Sequence, residues 1–519
     1  MANQSLFQTL RGKLLRLADA VNHEGAPTYA LTPRHTLAQY ATTGCLNHTF
    51  YATAEAQLEK VLSLCSEIDG TFIAKTAVFS REAGYMKDMP ALLCAVLATK
   101  DAGLLQQVFP RVIDNGRMLR NFVQIIRSGV VGRKSFGSLS KRLICDWLDK
   151  QSEAYLFEAS VGQSPSLADV IKMVHPRPRT ASREALYGYL LGRAHQTEAL
   201  PQIVRDFEAF KTNPSTAVPE IPFQMLTALN LGQREWIVIA RRAPWQMTRM
   251  NLNTFARHGV FAEKGMTDLI ANRLRDPQAI AGARVFPYQL MIAYKMADEA
   301  IPREVQNALQ DAMELALANV PRLSGKVYVC PDVSGSMREA AATGYRSGAT
   351  SKVRCVDIAA LMTAAILRQN PEAEILPFED RVVKVKLNPR DSVMTNAEKL
   401  VALGGGGTNC RAPLKSLNAA RAVGDMVIFI SDNQSWVDAR FGGQSTALMR
   451  EWNEFQQRNP AAKLVCLDIQ PYATSQAYDR AEVLNVGGFS DQVFQLIADF
   501  AANELHPEHW VGLIEQVDL

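Results

Sequence analysis

The most constraining feature of this chain is a change of texture near residue 325. Before it, apolar residues recur at three- and four-residue spacing, the period of one helix face, in FIAKTAVFSREAG (72–84), MPALLCAVLA (89–98), RMLRNFVQIIRSGVV (117–131) and EVQNALQDAMELALANV (304–320). The breaks are short and made of Gly, Pro, Asn and Asp, as in Asp114-Asn115-Gly116, His175-Pro176-Arg177-Pro178 and Asp276-Pro277. Strand-like alternation is nearly absent. Many short helices joined by short turns predict stacked helical pairs, a solenoid of HEAT type, rather than a four-helix bundle. No strict repeat period accompanies them.

Past residue 325, KVYVCPDVS (326–334), AEILPFE (373–379), VVKVKL (382–387), DMVIFISDN (425–433) and AKLVCLDIQ (462–470) read as strands. Between and after them, KVRCVDIAALMTAAILRQN (352–370), NAEKLVAL (396–403), STALMREWNEFQQRN (445–459) and DQVFQLIADFAANE (491–504) read as helices. Apolar strands alternating with amphipathic helices require a mostly parallel sheet covered on both faces. Pro321 and Gly325 mark the boundary. The expected fold class is multidomain, an all-α repeat module followed by a doubly wound α/β domain, as befits 519 residues, too many for one core.

Hydrophobic residues at 47% and charged residues at 21% leave little room for long disorder. The net charge of +4 does not announce nucleic acid; its placement has to be examined. Cys45, Cys65, Cys94, Cys145, Cys330, Cys355, Cys410 and Cys466 are scattered with no CxxC spacing, which argues against zinc and against a secreted disulfide framework. The start, MANQSLFQTLRGKLLRL, lacks the apolar run of a secretory signal, and no stretch approaches the roughly 18 apolar residues of a membrane span. The cytoplasm is the expected location, with no membrane partner.

In an open α/β sheet, ligands bind beyond the carboxyl ends of the strands. Asp332, Ser334 and Ser336 lie just past the first strand of the α/β region, Thr408 ends the loop Gly404–Gly407, and Asp432 lies just past the strand MVIFI. Carboxylates and hydroxyls without His or Cys suit Mg²⁺, with Mn²⁺ as the alternative. Read alone, the cluster could also be an empty set of turns, since Asp and Ser are common after strands. The run of four glycines is not a nucleotide loop, because it lacks the Lys of a Walker motif and the spacing of GxGxxG. Asp357 and Asp380 read as a solvated helix residue and a turn residue. No His or Glu stands out as a general base, so an enzyme is not expected. The pattern resembles the metal-ion-dependent adhesion site of von Willebrand factor A domains, DxSxS…T…D, at all five positions. This implies that the metal grips an acidic group of a partner protein.

Charge is most asymmetric over 111–142, where Arg111, Arg117, Arg120, Arg127, Arg133, Lys134, Lys141 and Arg142 face only Asp114. Arg117, Arg120 and Arg127 are spaced to share one helix face. A second basic knot holds His175, Arg177 and Arg179, with Arg183 shortly after. These cations are either solvated faces and helix-terminal charges or a phosphate-binding surface.

The whole chain resembles the Ro autoantigen (TROVE-module) family. The resemblance rests on FIAKTAVFSREAGYMKDMPALLCAVLA, RMLRNFVQIIRSGVVGRKSFGSLSKRLICDWLD, SLADVIKMVHPRP, APWQMTRMNLNTF and CVDIAALMTAAIL, together with the intact metal motif. It implies a HEAT-like ring over 1–322, an A domain with the metal site over 323–505, and a tail over 506–519 that could return to the ring. It implies small structured Y-like RNAs on a basic outer face, single-stranded 3′ ends of defective RNAs in the hole, and RNA quality control. Polynucleotide phosphorylase is a partner the resemblance suggests; DNA is not expected. One stretch departs from the family. EASVGQSPSLADV (158–170) is acidic and neutral where a basic segment is expected, with Leu167 in place of a His, while His175 reads as a helix-terminal capping or packing residue rather than an RNA contact. The competing reading is a protein-interaction module that binds no RNA and works with a MoxR-type ATPase.

Overall fold

A computed structural model describes residues 16–43, 53–162, 164–214, 216–283, 285, 287–316, 320, 322–339, 353–432, 434–435, 445–470, 472–488, 491–504 and 509–519. The chain divides into two compact units. One gathers Met1–Ile68, Ile280–Met296 and Leu309–Gln516; the other comprises Asp69–Ala279, Ala297–Ala308 and Val517–Leu519.

The first unit is built on a five-stranded parallel sheet. In chain order the strands of this unit are β1 (Ala20–Val21), β2 (Pro27–Ala30), β3 (Val327–Pro331), β4 (Glu374–Ile375), β5 (Met426–Ser431), β6 (Lys463–Asp468), β7 (Thr474–Ser475) and β8 (Val483–Gly487). The parallel sheet runs β4-β3-β5-β6-β8. Every residue of β3, β5 and β8 is buried, as expected for strands covered on both faces. The covering helices include Cys355–Gln369, in which every side chain from Cys355 to Leu367 is buried, and Ala447–Arg458, whose Trp452 and Phe455 rings stack 5.7 Å apart.

Three expectations are corrected in this unit. Val382–Leu387 does not form a strand ladder; its only strand-type pairing is an isolated bridge between Phe378 and Val382, and its lysines alternate outward as in an extended edge segment. An antiparallel hairpin, β1–β2, occurs in the region read as helical, and β2 pairs with β7. Its turn is held by Asn22, whose Oδ1 accepts from the amides of Glu24 (3.1 Å) and Ala26 (2.9 Å). Asp357 is buried rather than solvated. It accepts from the Arg354 backbone and guanidinium at 3.0 Å and pairs with Lys295 at 3.6 Å, and these contacts lower its pKa despite the burial that opposes them. The polar loop after the metal motif, residues 340–352, lies outside the described residues, as do 317–319 of the expected helix 304–320 and 505–508 before the tail.

The second unit is helical, as its periodicity predicts. Successive helices are Gly70–Glu82, Asp88–Lys100, Ala102–Val112, Gly116–Ser128, Gly137–Lys150, Glu153–Ala159, Leu167–Val174, Ala181–Leu190, Gln202–Thr212, Phe223–Leu226, Gln233–Arg242, Trp245–Met250, Leu252–Arg257 and Met266–Arg275. The short polar breaks are caps. Asp69, Asp101, Asn115, Ser152, Ser166 and Thr180 each accept a hydrogen bond from the first turn of the helix that follows. Asp101 both ends one helix and starts the next, so the turn is as short as the chain allows. Asp88–Lys100 is buried on all sides from Met89 to Leu97, whereas Ala102–Val112 and Gly116–Ser128 each bury one apolar stripe, as where Phe109 meets Phe122 edge to face at 5.2 Å. His175 ends the helix Leu167–Val174 in the left-handed region (φ 50°, ψ 59°), its amide donating to the Ile171 carbonyl, which is a capping role.

Candidate metal centre and basic face

The chain runs from β3 outward to β4 on one side and crosses to β5 on the other, so the crevice beyond the carboxyl ends of β3 and β5 is the sheet's switch point. Asp332 directly follows β3 and Asp432 directly follows β5. Parallel pairing fixes their relation, since the Asp332 amide donates to the Ile430 carbonyl at 2.9 Å.

Asp332, Ser334 and Asp432 are fully buried, Thr408 nearly so, and Ser336 half-buried. Asp332 accepts from the Ser334 amide (2.9 Å) and from the Ser431 hydroxyl (2.6 Å). The Ser334 and Ser336 hydroxyls lie 3.3 Å apart, and Asp432 Oδ1 accepts from the Gln434 amide at 3.2 Å. Asp432 Oδ2 is buried with no hydrogen-bond partner among the described residues. Burial pushes both carboxyls up. Asp432 reaches about 7, with the nearby Asp332 charge as the next cause and the Ser336 hydroxyl opposing.

The glycine loop is laced to the motif, with Gly335 donating to the Gly406 carbonyl at 2.8 Å and Gly405 to the Val333 carbonyl at 3.0 Å. Gly404 (φ 73°) has no room for a side chain, because a Cβ there would lie 2.4 Å from the Val333 oxygen. Gly404→Ala should therefore destabilise the A domain by more than about 1 kcal/mol, seen as a lower denaturation midpoint. From the far side, Glu379 accepts from the Gly406 amide (2.9 Å) and Asp380 from the Gly407 amide (3.2 Å), so Asp380 is the turn residue expected. Ser431, Glu379 and the Ser435 hydroxyl, which lies 3.4 Å from the Thr408 carbonyl, complete the frame. Nothing in their spacing marks them in the sequence.

The five expected residues thus lie on three loops at one sheet edge. Two buried carboxylates with no cationic partner among the described residues, one carrying an orphaned oxygen, together with hydroxyl oxygens, fit a hard divalent ion such as Mg²⁺ or Mn²⁺. Among the described residues no three His, Cys, Asp or Glu side chains gather, so such an ion would depend on the hydroxyls.

The basic residues of the second unit divide into two groups. Arg111 forms a forked pair with Glu82 (both contacts 2.7 Å) and also donates to the Asp518 carbonyl. Arg120 turns inward, donating to the carbonyls of Ala159 and Val161 at the end of the helix Glu153–Ala159; burial lowers its pKa. This corrects the expectation that Arg117, Arg120 and Arg127 present one outward face. Arg183 is buried and donates to the carbonyls of Leu148 (2.8 Å) and Gln151 (2.5 Å). Arg179 pairs with Asp149 at 3.0 Å from an exposed position.

Of the expected basic set, Arg117, Arg127, Arg133, Lys134, Lys141, Arg142 and Arg177 carry no carboxylate partner among the described residues. Arg133 donates to the carbonyls of Ser135 (2.7 Å) and Ala98 (3.1 Å), Arg127 to the Lys134 carbonyl (3.3 Å) and Arg142 to the Gln106 side chain (3.3 Å). Arg117, Lys134, Lys141 and Arg177 are exposed. Arg127 also lies on an open groove of about 610 Å³ with Gln124, Ser128, Pro165, Lys172 and Met173. Lys172 was not singled out by charge density, because it sits alone in an apolar helix.

Residues 326–501 match the Ro60 vWA domain family. The RNA-binding protein RO60 of Deinococcus radiodurans is 23% identical over 524 residues, covering 93% of this chain and 95% of the relative. The chain is thus similar to a Ro60 protein along nearly its whole length. The crystal structure of the D. radiodurans Ro (RSR) protein shares its fold, with a TM-score of 0.64 at 20% identity, over 91% of this chain and all of that one. The stretch that matches the Ro60 vWA domain model therefore carries Asp332 and Asp432, and the expected architecture of a helical region followed by a von Willebrand factor A domain is the one observed.

Proposed function

We propose that this protein is an RNA-binding scaffold of Ro type, with phosphates held on the helical unit and a divalent ion held in the A domain. The observation that carries the RNA reading is the set of cations without carboxylate partners around the groove of Arg127 and Lys172. A counterion-coated phosphate backbone gains affinity by releasing those ions to such cations. The RNA-binding name of a relative that spans nearly the whole chain supports the same reading. The groove also answers the departure over 158–170. Ser164, Pro165 and Asp169 line it, and the Asp169 carboxylate caps its own helix through the Ser166 hydroxyl and amide, three residues before Lys172 on the same groove. Y-like structured RNAs are the cognate class for this face, and single-stranded 3′ ends a second class, in the service of RNA quality control in the cytoplasm.

In the A domain, Asp332, Ser334, Ser336, Thr408 and Asp432 would hold Mg²⁺. The ion would neutralise the two carboxylates and leave a coordination position for an acidic group of a protein partner. Ser431 and Gln434 hold the carboxylates in place, and the glycine loop positions Thr408.

The test is binding of a structured RNA with a 3′ tail across a salt series. Affinity should fall linearly on a log–log plot, with a slope of about 0.7 to 0.9 for each phosphate contacted. Affinity that ignores salt, or no binding to any such RNA, would leave the protein-interaction reading in its place.

A further inference from the structure

The helical unit contains a column of rings that ends at its surface. Phe255 is fully buried and meets Trp236 edge to face, with centroids 6.4 Å apart at 64°. Trp236 is itself only 4% exposed, and His258 lies flat on it, with centroids 4.6 Å apart and planes 17° from parallel. His258 is solvent-exposed. The column is rigid. Trp236 sits on the second turn of Gln233–Arg242, whose start is fixed by the Glu235 carboxylate accepting from the Gly232 amide at 2.9 Å. The Gln233 side chain donates to the Gly259 carbonyl at 2.9 Å, tying that helix start to the residue after His258. Gly259 adopts φ 71°, and a Cβ there would press on Gln233 at 3.0 Å, so the turn that presents the imidazole is fixed as well.

Two arginines lie on the segments that carry this ring. Arg257 precedes His258 and touches only the Thr254 hydroxyl, at 3.3 Å, and Arg234 adjoins Gln233. Both are exposed, and neither has a carboxylate partner among the described residues. A flat, exposed ring backed by a buried indole, on segments that also carry exposed arginines, has the chemistry of a stacking platform for a nucleobase.

We propose that His258, backed by Trp236, is a base-stacking site for single-stranded RNA, with Arg234 and Arg257 holding the adjacent phosphates. The proposal rests on the RNA-binding reading but concerns different residues from the groove of Arg127 and Lys172. Every base has a π face, so the site would accept a single strand with little sequence preference; a paired stem, whose bases are stacked on each other, would not use it.

The experiment uses the full chain, a fluorescein-labelled single-stranded oligoadenylate and a blunt-ended hairpin RNA. His258→Ala should weaken oligoadenylate binding about tenfold, the loss of one stacked base, and leave hairpin affinity unchanged. His258→Phe should restore oligoadenylate binding to within about twofold, since a phenyl ring stacks without charge. The salt slope should be the same in all three proteins. Ultraviolet crosslinking of the same oligonucleotide, mapped by mass spectrometry, should modify the peptide that contains His258.

If wild type binds both RNAs and His258→Ala binds oligoadenylate equally well, the imidazole only shields Trp236 and the proposal fails alone. If His258→Phe fails to restore binding while its melting temperature matches wild type, stacking is wrong. If wild type binds neither RNA, the RNA-binding reading itself falls.

Discussion

Magnesium should raise the melting temperature of the A domain, and Asp432→Asn should abolish that response. Asp332 and Asp432 are fully buried, Asp432 Oδ2 has no hydrogen-bond partner among the described residues, and among those residues no cationic side chain pairs with either carboxylate. A ligand present at a hundred times its dissociation constant stabilises the folded state by about 2.7 kcal/mol, or about 5 to 10 °C for a domain of this size. A chelator should reverse the shift, and Mn²⁺ should reproduce it. The metal-free protein provides a second readout. The folded-state pKa of Asp432, about 7, lies above its ordinary value of 3.8. Between those values the folded state keeps a proton that the unfolded state has released, so metal-free stability declines as pH rises from about 4 to about 7 and then levels. Asp432→Asn removes the Asp432 share of that decline, leaving the smaller share of Asp332, and should make the metal-free protein more stable near pH 8, by at most about 4 kcal/mol. A wild-type melting temperature that ignores Mg²⁺ and Mn²⁺ at pH 7.5 would mean that the hydroxyls and carboxylates form no ion site.

The contrast between what was legible in the sequence and what was not has a physical basis. Asp332, Ser334 and Ser336 are adjacent in the chain, and the strands that carry Asp332 and Asp432 announce themselves by continuous burial, so their meeting follows from parallel pairing alone. Ser431 and Glu379 act through single hydrogen bonds set by the packed loops, and an isolated Ser or Glu carries no periodic signal. The hairpin β1–β2 escaped because its strands are too short to show alternation and its stability comes from pairing with β7, hundreds of residues away. Val382–Leu387 erred the other way: its alternation is real, but alternation reports one half-buried face and not a hydrogen-bonded neighbour. Charge density likewise counted Arg120 with Arg117 and Arg127, although helical spacing does not say whether a guanidinium points to solvent or back to a helix end.

That last distinction sets the second large effect. Replacing Arg117, Arg127 and Lys172 together with Gln should weaken binding of a structured RNA about a hundredfold at 0.1 M salt and reduce the log–log slope by about 2 to 3, one contact for each residue. The loss should be nearly uniform across RNA sequences, because phosphates carry no base identity. Arg120→Ala should behave oppositely. It leaves the carbonyls of Ala159 and Val161 without their donor, so it should cost about 1 to 3 kcal/mol of stability while the salt slope of the folded protein stays where it was. Arg111→Ala, which releases Glu82 from its forked pair, belongs with Arg120→Ala. If instead Arg120→Ala and the triple variant shift the salt slope alike, both kinds of arginine contact phosphate, and the helix ends at Ala159 and Val161 must rearrange when RNA binds. If the triple variant binds as tightly as wild type, the cations around the groove are a solvated face, and the phosphate contacts of this protein lie elsewhere on the helical unit.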